Sequence, residues 1–349
     1  MNALPFSPSR LSHLEREQLP QSQRIAATFG AVGLLHLVCL GLLAYSFTAD
    51  ASPLALGMFF TAYLAGVKHS YDWDHIAAID NSSRKFAAQG RSPVSVGFAF
   101  SLGHSSIVLI AGILVVSGAA VIATALDDGS PVNTALGLIG AVVSATFLLA
   151  IGIFNGAAFR RAAKVYQRVR AGQPVTADEL RPQGLVARLL DKPLSRINRP
   201  RDIYVIGFLF GLGFDTATTI AFLLLTASAA LAGVSPLALM ALPLGFTAAM
   251  TLCDTANGLA MMKMYRTAIS EPEKKIGFNM VVTGLSSFSA LFIAAITIAG
   301  LLHSAGLSDP ITTWLGELDL GHAGLILVAV FLTVWGIARL TWRRRPALA

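Results

Sequence analysis

Eight long apolar runs, separated by polar connections, constrain this chain more than any other feature of its sequence. A helix of about 20 apolar residues is needed to cross the roughly 30 Å hydrocarbon core of a bilayer, and each run reaches that length. Only 13% of the residues are charged and 54% are hydrophobic, whereas a soluble domain carries about 25% charge. The sequence therefore predicts an all-α, polytopic membrane protein in a lipid bilayer. Its eight predicted transmembrane helices lie near residues 27–47, 53–80, 94–124, 134–159, 203–232, 236–262, 277–302 and 322–341.

The positions of the basic residues predict how these helices are oriented. Every Lys and Arg except Lys68 lies in the N-terminal leader, in the C-terminal tail from Arg339 onward, or in alternate connections. Because cytoplasmic segments carry the Lys and Arg, both termini are predicted to be cytoplasmic. The net charge of +7 is attributed to this orientation and not to nucleic-acid binding. The predicted organisation is a cytoplasmic leader (1–26), helices 1 to 4 (27–159), a basic cytoplasmic loop (160–202), helices 5 to 8 (203–341) and a basic cytoplasmic tail (342–349).

Polar residues concentrate on one neighbouring pair of helices in each half of the chain: helices 2 and 3 in the first half, and helices 5 and 6 in the second. Helix 2 is predicted to run inward and helix 5 outward, so the two pairs would have opposite orientations. Such an inverted pairing resembles the plan of secondary transporters, in which the substrate site lies between the halves near the bilayer midplane. We therefore expect a site at that position.

The polar residues predicted to lie within the membrane carry an excess of negative charge. Each ionised group at the bilayer centre costs about 3 kcal/mol or more, so such a cluster needs a compensating partner. Lys68 is the one obligate cation, and we expect it to pair with Asp72 one helical turn away. A divalent metal would balance the remaining carboxylates, and mixed His and Asp donors suit Ni, Co, Zn, Cu or Fe better than Mg or Ca; a proton relay is the alternative. These polar residues are Lys68, His69, Asp72, Asp74, His75 and Asp80 in helix 2, His104 in helix 3, Asp215 in helix 5, Asp254 and Asn257 in helix 6, and His36 in helix 1. Those expected to bind the metal are His69, Asp72, Asp74, His75, His104, Asp215 and Asp254.

Helical geometry limits how the residues of helix 2 can share one ion. At about 100° per residue, Asp74 and His75 point roughly 140° and 240° away from His69. A regular helix cannot direct all three side chains at one point. Either the groups serve different faces of the bundle, or the helix is bent or unwound between His69 and His75, which is allowed where the backbone lines a cavity.

Four motifs in order resemble those of a known family, the nickel/cobalt transporters (NiCoT). The family signature H-x4-D-H is matched in helix 2 by His69, Asp74 and His75, within KHSYDWDHIAAIDN. The further motifs are SLGHSS in helix 3, LGFDTAT in helix 5, and MTLCDT in helix 6 followed by KIGFNMVVTGLS in helix 7. The resemblance extends from residue 27 to the basic tail.

This resemblance implies high-affinity uptake of Ni2+ or Co2+ by a multi-pass protein of the cytoplasmic (inner) membrane. It implies that His69, Asp74 and His75 bind the metal, and it places His104, Asp215 and Asp254 at the other signature positions. Two positions depart from the family pattern: Thr219 stands where Glu is common, and Asn257 stands where a second Asp is common. Both changes remove a carboxylate and bear on metal preference.

The remaining predictions concern mechanism and alternatives. The chain has no GxxxxGK[ST] motif, so a secondary or potential-driven transporter without a cofactor is expected. His36 is proposed to add a nitrogen donor, or a hydrogen bond, near His69 and so to affect selectivity, while Lys68 would limit the negative charge of the site. A metal exporter of a related superfamily stays open, although such exporters usually have a His-rich loop and residues 160–202 contain no His. An intramembrane metalloenzyme is disfavoured because HExxH is absent.

Overall fold

The computed structural model describes residues 19–49, 53–88, 91–117, 130–173, 199–212, 225–227, 229, 234–265, 272–307, 309–316, 318 and 323–343. Within these ranges all regular structure is helical and no strand occurs. The helices are α1 (Gln21–Ala49), α2 (Pro53–Ser70), α3 (Trp73–Ala88), α4 (Val96–Val116), α5 (Pro131–Arg170), α6 (Pro200–Gly211), α7 (Pro236–Tyr265), α8 (Pro272–Ser304), α9 (Pro310–Gly316) and α10 (Ala323–Arg343).

Five helices are long and apolar enough to cross a membrane by length and composition. Two further helices, Asp202–Gly211 and Ala323–Ala338, are apolar but shorter. The prediction of an all-helical, multi-pass protein is therefore confirmed. The five spans are Gln21–Tyr45, Val96–Val116, Gly137–Arg170, Ala238–Met264 and Ile276–Ser304.

The predicted helix 2 is two helices. The turn at Tyr71 and Asp72 separates α2 from α3. The Tyr71 and Asp72 N–H groups donate to the carbonyls of Lys68 and His69, three residues back (3.1 and 3.0 Å), as in a tightened last helical turn. The Asp72 carbonyl then accepts the first hydrogen bond of α3, from the Ile76 N–H at 3.2 Å. The prediction that the chain unwinds between His69 and His75 is confirmed.

Close contacts between backbones hold α4 in the centre of the bundle. A Cβ atom at Gly97 would overlap the Asp254 carbonyl of α7, and one at Gly103 would overlap the Tyr204 carbonyl of α6. Glycine at such positions lets helix backbones approach within membranes, where packing and not hydrophobicity drives association. These contacts fix the helix that carries His104 against the helix that carries Asp254.

Several helix limits differ from those predicted. α5 continues to Arg170, so a helix occupies the first part of the basic segment that was predicted as a loop. α9 forms in the predicted connection 303–321, where no helix was expected. Its first turn is capped by Asp309, whose pKa is held below its usual value by hydrogen bonds from the N–H groups of Thr312 and Ile311.

Candidate metal centre

Three histidines from three helices meet inside the bundle. One ring nitrogen each from His69 of α2, His75 of α3 and His104 of α4 lie within 4.8 Å of one another, and all three residues are buried. Their ring centroids are 4.6 to 4.9 Å apart. We call this group the histidine triad. It is the one cluster of three or more His, Cys, Asp or Glu side chains with metal-binding spacing in the described part of the chain.

The break between α2 and α3 brings two members of the triad together. His69 lies in the last turn of α2 and His75 in the first turn of α3, with their ring centroids 4.7 Å apart. On one continuous helix the two side chains would point about 120° apart and lie about 9 Å apart along the axis. The broken helix is therefore what allows both imidazoles to share one site.

Two carboxylates orient the imidazoles. The Nδ1 atom of His69 lies 2.7 Å from Asp72 Oδ2, and Nδ1 of His75 lies 3.1 Å from Asp254 Oδ2. Because an ionised carboxylate only accepts hydrogen bonds, each Nδ1 carries the proton and each Nε2 keeps its lone pair for a metal. This carboxylate–histidine arrangement is the usual support for a metal-binding imidazole. The structure thus places Asp72 and Asp254, which we predicted as metal ligands, beside two histidines of the triad.

Several polar atoms of the triad and of Asp254 are buried without a hydrogen-bonding partner. Nε2 of His75, Nδ1 of His104 and Oδ1 of Asp254 are buried without a hydrogen bond, and Nε2 of His69 lies 2.9 Å from Nε2 of His104. Buried polar atoms without partners are costly. A transition-metal ion, for which imidazole nitrogen is a preferred donor, would satisfy these lone pairs.

Aromatic rings line the triad. The ring of Phe100 lies 5.0 Å from that of His75, and the ring of Phe246 lies 5.5 Å from that of His69, centroid to centroid. Both phenylalanines are fully buried. They restrict water around the site, so an ion must exchange hydration for the imidazole nitrogens. Sequence reasoning did not single out either residue, because a Phe in an apolar run carries no distinguishing signal.

Other predicted residues lie away from the triad. The Asp74 carboxylate accepts a hydrogen bond from the His75 N–H at 2.8 Å, and Asp74 is not part of the triad. Lys68 is exposed and makes no ion pair with Asp72, whose carboxylate pairs with His69 instead. That expectation was wrong because Asp72 lies in the turn after α2, where its carboxylate meets the buried His69 while Lys68 stays exposed. Asn257 is half-buried, with an amide nitrogen that has no partner.

His36 does not reach the triad. Its Nδ1 bonds the Val32 carbonyl at 2.9 Å, and its Nε2 bonds the Tyr63 hydroxyl at 3.2 Å. Both ring nitrogens are therefore engaged about two helical turns of α2 from His69. Asp215 and Thr219 lie outside the described residues, so the prediction that they face the transport path stays a prediction.

The fold and the triad together define a class: a multi-pass helical membrane protein with a buried cluster of nitrogen donors of the kind that transition-metal ions bind. Comparison of the sequence with known protein families agrees with this class. The family model described as "high-affinity nickel-transport protein" matches residues 55–341, and the chain belongs to that family.

Relatives with assigned names cover nearly the whole chain. The nickel transporter NicT of Mycobacterium tuberculosis is 39% identical, over 91% of this chain and 88% of its own length. The cobalt transport protein NhlF of Rhodococcus rhodochrous is 34% identical, over 93% and 94%. The high-affinity nickel-transport protein NixA of Helicobacter pylori is 35% identical, over 90% and 96%. These relatives are transporters and not enzymes. No solved structure matches the chain significantly.

Proposed function

We propose that this chain imports Ni2+, Co2+ or both across the cytoplasmic membrane, and that the histidine triad is where the ion binds. The observation that carries the proposal is the convergence of three buried imidazole nitrogens within 4.8 Å. Membership of the family and the similarity to both a nickel transporter and a cobalt transport protein support the same substrates.

The donor set favours these metals over the abundant divalent ions. Mg2+ and Ca2+ prefer oxygen ligands, whereas imidazole suits Ni and related first-row metals. His69, His75 and His104 act as ligands in this proposal, and Asp72 and Asp254 keep the protons of their partner imidazoles away from the ion. Asp74 and Asp215 remain predicted contributors to the path between the triad and the two sides of the membrane.

Eight membrane-crossing segments with both termini in the cytoplasm form the proposed topology. The five long spans, the broken pair α2 and α3, and the shorter apolar helices α6 and α10 supply these eight segments. If successive segments cross the membrane in alternating directions, the third and sixth segments, which are α4 and α7, must run in opposite directions. In support, Gly97 and Gly112 of α4 lie against Asp254 and Pro243 of α7, so the two contacts run in reverse order along the chains.

α6 packs closely against α4. Gly207 of α6 lies against Phe100, Gly211 lies against His104 and Ile107, and Gly103 of α4 lies against Tyr204. We further propose that the predicted helices form two inverted pairs, one made of helices 2 and 3 and the other of helices 5 and 6. The two pairs move relative to each other around the triad.

The membrane potential is sufficient to drive import. A divalent ion moving inward gains about 4.6 kcal/mol at 100 mV, twice the value for a single charge. That free energy supports a concentration ratio on the order of a thousandfold. No hydrolysis of a nucleotide is required, in agreement with the absence of a phosphate-binding loop motif from the sequence.

Accumulation of radiolabelled Ni2+ and Co2+ in intact cells at nanomolar metal tests the proposal. Cells that express the intact chain should accumulate at least one of the two ions above the level of control cells, and His69→Ala should abolish the difference. His303→Ala is the matched control, because His303 is an exposed histidine at the end of α8. Lower accumulation with the intact chain than in control cells would instead identify an exporter.

A further inference from the structure

A second buried polar cluster lies on the opposite side of α3 from Asp254, where α3 packs on α8 and α5. Arg84 donates from Nη1 to Thr283 Oγ1 at 2.6 Å and from Nη2 to Ser286 Oγ at 3.1 Å. The side chain of Asn155 donates to that of Asn81, which is also within α3. We call this group, with Asp80, the Asp80 cluster. Its members are Asp80, Asn81 and Arg84 of α3, Asn155 of α5, and Thr283 and Ser286 of α8.

Asp80 is the member of this cluster that lacks hydrogen bonds. The residue is 1% exposed, and neither oxygen of its carboxylate makes a hydrogen bond of normal geometry; the Ser286 hydroxyl and the Arg84 guanidinium are near enough to interact with it. Arg84 lies one helical turn further along α3 and supplies the nearest opposite charge, yet its two terminal nitrogens bond to hydroxyls of α8. A buried carboxylate is costly unless it is paired or binds a cation. Both oxygens of Asp80 are therefore available to a cation.

We infer that Asp80 is a second binding position for the transported divalent ion, between the histidine triad and the cytoplasm. This inference rests on the proposed function. Asp80 is five residues beyond His75, which is about 7.5 Å along α3 towards the end that carries Arg84 and Lys85. The basic residues at that end place it on the cytoplasmic side. An ion that moves inward from the triad by this distance is at the depth of Asp80, and it must pass around α3 to reach the carboxylate, because the Asp80 cluster lies on the other side of that helix.

The chemistry of the second position suits release. Asp80 offers oxygen donors, supplemented by water, and an oxygen site holds Ni2+ or Co2+ less tightly than three imidazoles do. The nearby guanidinium of Arg84 weakens the binding of a divalent cation further by like-charge repulsion. Thr283 and Ser286 keep the guanidinium directed at α8, so that it does not occupy the carboxylate itself.

Binding stoichiometry of the purified full-length chain in detergent measures this position directly, with radiolabelled Co2+ as the probe. We expect one tightly bound ion and one ion bound at least tenfold more weakly. In Asp80→Asn the weak ion should be lost, the tight ion should keep its Kd within about twofold, and cellular uptake should fall at least tenfold. A single ion per intact chain, or two ions per chain in Asp80→Asn, would overturn the inference.

A double variant separates a binding role from a structural one. If Asp80 served only to balance Arg84, then Asp80→Asn combined with Arg84→Gln would restore uptake, because the buried charges are removed together. We expect no restoration, and retention of the tight ion would show that the variant is folded. Restored uptake would overturn the inference and leave import by the triad intact. Absence of uptake by the intact chain would instead overturn the proposed function.

Releasing Arg84 from α8 tests the role of the two hydroxyls. In the combined variant Thr283→Val and Ser286→Ala, the guanidinium can turn to Asp80 and compete with the ion. The Kd for the weak ion should rise at least fivefold, and the Kd for the tight ion should not change. An unchanged Kd for the weak ion would count against the binding position at Asp80.

Discussion

The histidine triad and the Asp80 cluster share one helix, α3, but differ in almost every chemical respect. The triad is made of nitrogen donors, its imidazoles are oriented by carboxylates, and its neighbours come from α2, α4 and α7. The Asp80 cluster is made of oxygen donors and hydroxyls around one guanidinium, and its neighbours come from α5 and α8.

Under the proposed function, this difference lets one chain combine capture with release. Nitrogen donors in a site lined by phenylalanine rings bind a scarce transition metal tightly. A carboxylate beside a guanidinium binds the same ion weakly, which permits its departure. Because α3 contacts both clusters, a small movement of α3 changes both sites together. The predictions that follow address the triad, its supports and its surroundings.

The largest effect is expected from removal of a triad ligand. His104→Asn should weaken Co2+ binding to the purified chain by more than about 100-fold. This effect is larger than the 10- to 100-fold loss of affinity that is typical when a residue hydrogen-bonded to a metal ligand is removed. His36→Asn is the matched control, since His36 bonds Tyr63 and not the triad. Titration calorimetry measures both. Equal effects of the two variants on Co2+ binding would contradict the separate roles of these histidines. In a separate uptake experiment, an altered ratio of nickel to cobalt uptake in His36→Asn would support the predicted role of His36 in selectivity.

A smaller effect is expected from removal of a carboxylate that orients a ligand. Asp254→Asn should weaken metal binding by about 10- to 100-fold, because the charged acceptor that fixes the tautomer of His75 is replaced by a neutral amide that can donate as well as accept. Asp72→Asn should have less effect, since the Asp72 side chain is 16% exposed and water can replace it as an acceptor, whereas that of Asp254 is fully buried. The same calorimetric measurement ranks the two variants. A larger loss of metal affinity in Asp72→Asn than in Asp254→Asn would contradict this ranking of the two carboxylates.

The sequence was sufficient to predict the features that depend on one helix at a time. Hydropathy predicted the all-helical membrane fold, and the angles between His69, Asp74 and His75 required a break that the structure contains. Residue spacing alone did not decide the partner of Asp72, because Lys68 and His69, four and three residues before it, are both neighbours on a helix, and the structure pairs Asp72 with His69.

Contacts between helices were harder to predict. Thr283 and Ser286 did not indicate a polar cluster from the sequence. Buried hydroxyls in helices commonly donate to the carbonyl four residues back, and both of these residues do so. Their second bonds, to Arg84, exist only because α3 and α8 pack together. Hydropathy did not predict α9 either, because its seven residues are too few to form a span.

A modest effect is expected where α10 supports the helix break. A Cβ atom at Gly324 would overlap the Tyr71 carbonyl and lie 3.1 Å from the Asp72 backbone. Gly324→Ala should therefore destabilise the protein by about 1–3 kcal/mol through overpacking and weaken metal binding by shifting Asp72. Gly336→Ala is the control on the same helix, because an added Cβ there meets nothing within 4 Å. Thermal unfolding with and without Co2+ measures both, and equal behaviour of the two variants would exclude a supporting role for Gly324.

The smallest effect is expected at Lys68, which is adjacent to His69 in sequence but exposed and not paired with Asp72. Exposed charges contribute little, so Lys68→Gln should change the Kd for Co2+ by no more than about threefold. Because His69 already occupies the Asp72 carboxylate, removal of the ammonium leaves the triad and its hydrogen bonds intact. Calorimetry at two salt concentrations provides the measurement. A change of tenfold or more would mean that Lys68 sets the charge of the site, and the triad would then resemble the Asp80 cluster in depending on a neighbouring cation.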